Sequence, residues 1–139
     1  MKQLLDSVAT FQTAFKQEVA PRPTLIDPKR ARLRYELMKE ENEEYLEAVK
    51  NNDLLEVADA LGDKLYILCG TILEHGLQDV IEAVFNEIHR SNMSKLDAEG
   101  KPIINGQNGI LDESRALNKV LKSANYSEPN LKQFLRFEN

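Results

Sequence analysis

Apolar residues recur along the first part of the chain at the spacing of a helical face. Leu4, Leu5, Val8, Phe11 and Phe15 share one side of residues 1–19, and Pro21 and Pro23 end the pattern. Asp27 followed by Pro28 is a start signal, a capping side chain and then a residue preset for the first turn, so a second helix is predicted from Pro28 to Asn51. Asn52 and Asp53 repeat the capping chemistry. A third, strongly apolar segment then runs to His75 and Gly76, where glycine is the usual stop. Its apolarity on all sides predicts that it is the central helix. A fourth helix is expected from Leu77 or Gln78 to about Lys95, with Val80, Ile81, Val84, Phe85 and Ile88 on its inner face.

Beyond it the periodicity stops. Asp97 to Ser114 holds Gly100, Pro102, Gly106 and Gly109, which reads as loop with one short hairpin. A short helix is expected near Ser114 to Lys122, then an arm around Tyr126 and Pro129. The fold class is therefore all-α, a four-helix bundle over residues 1–96 with a loop-rich C-terminal extension, 97–139, belonging to the same domain. Phe11 and Phe15, a pair at helical spacing, are read as core rather than as a platform for a base, and His75 and His89 as surface or capping residues.

Composition narrows the function. With 139 residues there is room for one compact core. The 23 acidic and 18 basic residues leave a net charge of −5, which argues against a nucleic-acid binder, whose phosphate contacts need clustered Lys and Arg. The most apolar run, Leu65 to Leu73, is too short to span a bilayer, so no membrane role is expected. The single Cys69 excludes an internal disulfide, and the start MKQLLDSVATFQ has no basic segment followed by an apolar run, so a cytoplasmic protein is expected.

The acids carry the chemistry. On the second helix Glu36, Glu40, Glu43 and Glu47 form one stripe at steps of four, three and four, the pattern of a solvated face. Glu41 and Glu44 lie elsewhere, in the row Leu33, Leu37, Glu41, Glu44, Ala48, where they interrupt an apolar stripe. The third helix repeats the arrangement with Glu56, Asp59 and Asp63 among Val57, Leu61, Leu65 and Leu68, which leaves its acids little exposed surface. Carboxylates on an inner face need counter-charge. None of Lys39, Lys50 or Lys64 shares the inner row of the second helix. If the two helices pack antiparallel across Asn51 to Asp53, Glu41/Glu44 and Glu56/Asp59 reach similar heights, and oxygen-only ligation suits magnesium, or manganese, rather than zinc.

The segments KEENEEYLEA and EVADALGDKLYIL place Glu-x-x-Glu and Glu-x-x-Asp on consecutive helices, and EIHRSNMSKLDAEGKPI follows them. In this the chain resembles the MazG-type all-α nucleoside triphosphate pyrophosphohydrolases, relatives of phosphoribosyl-ATP pyrophosphohydrolase and of dimeric dUTPase. The resemblance implies a MazG-like bundle in which Glu41, Glu44, Glu56 and Asp59, with Asp63 as an addition, hold Mg2+ against a triphosphate. It also implies attack of water at the α-phosphorus and release of pyrophosphate, with Glu40 or Glu44 accepting the water's proton. Asn92 and Lys95, one helical step apart, would reach a phosphate or the sugar. NKVLKSANYSEPNLKQFL is similar to the closing segment of one branch, which adds Lys122 and Tyr126 as substrate-binding candidates. Asn105 to Ala116 is an insertion relative to that branch, and Lys122 and Tyr126 are open to a second role, covering a neighbouring subunit. The family's members are dimers or tetramers, so a homodimer or homotetramer is expected.

Two other readings fit the sequence less well. A catalytically silent nucleotide-binding or regulatory protein on the same bundle is disfavoured by retention of all four acids. A di-iron bundle needs Glu-x-x-His on two helices, and Glu87-Ile88-His89 has the wrong spacing.

Overall fold

The computed structural model describes residues 1–135. It is all-helical as the periodicity predicts, with four α-helices and no strand among the described residues: α1 (Lys2–Ala14), α2 (Pro28–Lys50), α3 (Leu54–Glu74) and α4 (Ile81–Met93), followed by a single 3-10 turn at Leu131–Gln133. No helix among the described residues is long and apolar enough to cross a membrane. The described residues divide into two units, residues 1–81 and residues 82–135, each described below by itself.

In the first unit the helix ends follow local chemistry. Asp27 caps α2 by accepting a hydrogen bond from Lys29 N at 2.8 Å, with Pro28 in the first turn. Asp53 caps α3 by accepting from Leu55 N and Glu56 N. Between them Asn52 adopts φ 54, a left-handed conformation that asparagine tolerates, and the turn it makes is tight enough to set α2 and α3 side by side and antiparallel. At the far end of α3, Gly76 has φ +65 and lies so close to the Arg22 backbone that a Cβ there would stand 2.0 Å from the Arg22 carbonyl oxygen. The linker from α1 crosses at this point and is held by Ala20 N to Leu73 O and Thr24 N to His75 O, both 2.9 Å.

Leu5 and Val8 of α1 pack on Cys69, Ile72 and Leu73 of α3, with Ala9, Leu77 and Ile81 at the margin. α3 is thus the helix on which both α1 and α2 pack. Its apolarity exceeds what they cover, however: Leu54 and Leu55 are 80% and 77% exposed, and Leu61, Leu65 and Leu68 are exposed too. Phe11 and Phe15, expected in the core, are 38% and 64% exposed and stack on each other with ring centroids 4.3 Å apart. The core that does form is short and contains a charge. Glu74, 1% exposed, receives Arg30 Nε at 2.7 Å and Arg30 Nη2 at 2.6 Å, Gln12 Nε2 at 3.3 Å, and an ion pair from Arg34 Nη1 at 3.4 Å. Arg34 also donates to Ile67 O and Thr71 Oγ1. Its guanidinium fits because position 70 is glycine: a Cβ on Gly70 would lie 2.8 Å from Arg34 Nη2.

In the second unit, α4 ends at Met93 and its last turns are tied to the tail. Glu87 is bridged by Arg90 at 2.8 Å and accepts from Asn130 N at 2.8 Å, and the two together, Arg90 first, hold its pKa down to about 2. Ser123 Oγ donates to Leu96 O at 2.7 Å. The expected short hairpin is present in reduced form, as the bridges Gln107 to Ile110 and Ile104 to Val120. The expected short helix at Ser114 to Lys122 does not form. The Asn105 amide takes the carbonyls of Arg115 and Ala116, which that helix would need, and Asn118 sits at φ 62.

Removing one partner of a buried ion pair leaves the other charged and desolvated, which typically costs about 3 kcal/mol. Glu74→Ala should therefore lower unfolding free energy by about that amount in urea titrations, leaving Arg34 buried without its carboxylate. Gly70→Ala should destabilise by about 1–3 kcal/mol, because the guanidinium must move. A melting curve unchanged in both variants would contradict this account of the core.

Candidate functional site

Antiparallel packing of α2 on α3 brings one alanine from each helix to the same cleft. Ala48 and Ala60 are buried, 5% and 3% exposed, and form the floor of a cleft of about 280 Å3. Its walls are Glu44, Glu47, Asn51, Asp53, Glu56 and Asp59. Five carboxylates thus line one small hollow.

Of the residues singled out in the sequence, Glu44, Glu56 and Asp59 come together in this cleft. Glu41 lies one turn before Glu44 and is half-buried, with Oε2 enclosed and without a hydrogen-bond partner. Burial raises its pKa first, and the negative charges of Glu44, Asp63, Glu40 and Asp59 raise it further. Those couplings place Asp63 and Asp59 of α3 in the field of Glu41. Glu40 is exposed and does not line the cleft. The α3 acids are exposed as well, contrary to the expectation that this helix has little surface for them.

Three wall residues, Glu47, Asn51 and Asp53, lie outside the predicted site. Glu47 is 66% exposed, as its place in the solvated stripe predicts, and one helical step beyond Glu44 it also lines the cleft. Asp53 was read only as a cap. The spacing Glu41, Glu44, Glu47 was the available signal, since a row at steps of three contains all of them.

Basic side chains are occupied elsewhere. Lys39 pairs with Glu43 at 3.5 Å, Arg32 with Glu36, and Lys64 donates to Asn42. Lys50 reaches Glu47, at the rim, at 3.9 Å. Among the described residues none of Glu41, Glu44, Glu56, Asp59 or Asp63 is paired with a Lys or Arg. The set is all oxygen, acidic and uncompensated, and the enclosed Glu41 oxygen lacks a partner; in donor chemistry it fits a hard divalent cation. No three of these groups already stand close enough to enclose one, among the described residues, so the fit is one of charge and donor type rather than a finished coordination shell.

A second hollow in this unit, about 210 Å3, is lined by Val8, Phe11, Gln12, Gln17, Arg34, Leu37, Tyr66, Ile67 and Gly70. Tyr66 meets Phe11 edge-on at 5.6 Å, and Gln12, 1% exposed, keeps an unpartnered Oε1. The remaining candidates belong to the second unit. Lys95 Nζ donates to Asn92 Oδ1 at 2.7 Å, and Lys122 Nζ lies 4.0 Å over the Tyr126 ring.

An acid-walled cleft between two antiparallel helices defines the chain as an all-α protein built around a carboxylate site. The chain belongs to the phosphoribosyl-ATP pyrophosphohydrolase family, whose model matches residues 8–92. That stretch runs from α1 through Asn92 and includes every acid discussed above. The family is one of nucleotide pyrophosphohydrolases, and the chain is a hydrolase of that kind. A comparison with curated proteins finds no match.

Because the folded pKa of Glu41 lies above its ordinary 4.5, ionising it works against folding. That cost is absent below the ordinary value and is fully felt once the pH has passed the raised one. In EDTA near neutral pH, Glu41→Gln should therefore melt higher than the wild type, and the difference should vanish in acid. Added magnesium should reverse the order by stabilising only the wild type. A variant that melts lower than the wild type at neutral pH in EDTA would contradict this assignment.

Proposed function

We propose that the chain hydrolyses a nucleoside triphosphate to the monophosphate and pyrophosphate, with Mg2+ held by Glu41, Glu44, Glu56 and Asp59 and assisted by Asp63; Mn2+ is the alternative ion. The observation that carries this reading is the α2/α3 cleft, where Glu44, Glu56 and Asp59 converge without basic partners, with Lys50 reaching only Glu47 at the rim. A triphosphate adds still more negative charge, so a cation bound by both is the natural link. When bound, the metal would neutralise phosphate charge and acidify a coordinated water.

The chain's own groups supply the rest. A water oxygen forms a bond to the α-phosphorus while the bond from that phosphorus to the α–β bridging oxygen breaks, and pyrophosphate leaves with the electron pair. The water's proton passes to a carboxylate. Glu44, on the cleft wall, is better placed for this than Glu40, which does not line the cleft. Asn92 and Lys95, with Lys122 and Tyr126, are assigned to the phosphates and sugar, with Lys95 as a point charge. The hollow beside Gln12, with aromatic walls and a free amide acceptor, supports binding of a heterocyclic base.

The family's named substrate is phosphoribosyl-ATP, which shares the same α–β phosphoanhydride, so it belongs in the substrate panel with canonical, deoxy and damaged triphosphates. Pyrophosphate release from one of these in magnesium is expected; release of single phosphate, or no turnover of any member, would refute the reaction. Glu41→Gln and Asp59→Asn should each lower kcat at least about 100-fold with the fold intact, in line with the effect of losing a metal-site group. Near-normal rates in both would remove the metal assignment.

The uncovered apolar face of α3 supports a homodimer or homotetramer. Leu54, Leu61, Leu65 and Leu68 follow one another at steps of seven, four and three, a single stripe left in water by the lone chain. Light scattering should give a multiple of 15.8 kDa, and Leu61→Glu with Leu65→Glu should reduce it to one chain. A wild-type mass of one chain would refute the assembly. A cytoplasmic setting, where nucleotides and magnesium are both abundant, suits the same reading.

A further inference from the structure

The loop that follows α4 is organised by one amide rather than by apolar packing. Asn105 is fully enclosed, 0% exposed. Its Nδ2 donates to the carbonyls of Asp112 and Arg115 at 2.9 Å and of Ala116 at 3.2 Å, and its Oδ1 accepts from Asp112 N at 2.7 Å. Its backbone N donates to Lys119 O and its backbone O accepts from Asn118 N, both at 2.9 Å. Every hydrogen-bonding group of this side chain is used within the loop, which fixes residues 105–119 as a closed ring.

That ring places charge around a hollow of about 440 Å3, lined by Lys95, Asp112, Arg115, Lys119, Val120, Leu121 and Lys122. Four cations therefore face one acid, in a chain whose net charge is −5. The acid is already engaged: Asp112 Oδ1 accepts from Ser114 N at 2.9 Å and Ser114 Oγ at 2.6 Å. Among the described residues none of the four cations forms an ion pair with a carboxylate. Lys95 is steered by Asn92 and Lys122 by the Tyr126 ring. Four like charges gathered around a single acid, which Arg115 alone is seen to act on, repel one another, and an anion with several charges removes that repulsion.

We propose that this hollow binds a chain of two or more phosphates, and that Arg115 and Lys119 are binding residues for it beside Lys95 and Lys122. Arg115 offers a planar fork suited to two phosphate oxygens, while the lysines act as point charges. The ligand is either free pyrophosphate or the phosphate tail of a nucleotide. The second case rests on the triphosphatase reading above; the first does not.

The test is a calorimetric titration of the full chain with sodium pyrophosphate in EDTA, with inorganic phosphate as the comparison. Pyrophosphate should bind more tightly than phosphate and more weakly as salt is raised. Arg115→Gln and Lys119→Gln should each weaken it about tenfold, the loss of one charged hydrogen-bonding group, and Lys119→Arg should restore it. Both positions are exposed, so thermal melts of the variants should match the wild type. Steady-state kinetics then separate the two sources. A KM for triphosphate raised about tenfold with kcat little changed assigns the hollow to the nucleotide tail, whereas weaker inhibition by pyrophosphate at unchanged KM assigns it to the free anion. Absence of pyrophosphate binding, or equal binding by both Gln variants and the wild type, overturns the proposal. If no triphosphate is turned over at all, the proposed function fails, and the titration still decides the hollow.

Discussion

The buried carboxylate of Glu74 fixes how α2 lies on α3. Arg30 and Arg34 reach it from α2 and Gln12 from α1, so three helices are tied to one atom pair at the end of α3 remote from the Asn51–Asp53 turn. The turn fixes one end of the helix pair and the Glu74 cluster the other. Between these points the facing helices carry carboxylates that repel, and repulsion of that kind would otherwise splay them. The acidic cleft lies beside the turn, so its mutual repulsion acts where the chain connection itself holds the two helices together. A functional site of this type is expected to sit where the surrounding structure bears its cost.

Much of this was legible in the chain because the signals were local. The capping pairs at Asp27–Pro28 and Asp53 and the stop at Gly76 act within a few residues and gave α2 and α3 close to their observed bounds, whereas α1, ending at Ala14, and α4, starting at Ile81, are shorter than the periods at residues 1–19 and from Leu77 or Gln78 predict. Glu41 was separable from its neighbours because it interrupts an apolar row. The illegible parts depend on distance. Glu74 lies 44 residues from Arg30 and 62 from Gln12, and at the end of an apolar helix it reads as an ordinary terminal acid. Glu47 fits two rows at once, four from Glu43 and three from Glu44, so its exposure was legible and its place on the cleft wall was not. The helix expected at Ser114 to Lys122 failed for a similar reason, since Asn105, ten and eleven residues away, claims its carbonyls.

The chain also inverts the usual division of inside and outside. Its most enclosed large side chains are Gln12, Glu74, Asn105 and Cys69, three of them polar, while leucines of α3 stand in water. Buried polar groups with several specific partners fix one arrangement at a cost in raw stability. Uncovered leucines leave part of the hydrophobic stabilisation unrealised in the single chain. Both point the same way: a single copy is precisely arranged in its helix crossings yet incomplete in its burial.

Cys69 gives that arrangement a built-in reporter. The chain's single thiol sits between α1 and α3, 1% exposed, and burial pushes its pKa up, so little thiolate exists and reagents have no path to it. Alkylation of the native protein must wait for α1 to leave α3. The labelling rate is therefore an intrinsic clock for opening at the helix pair beside the Glu74 cluster, readable by mass alone and without any engineered probe.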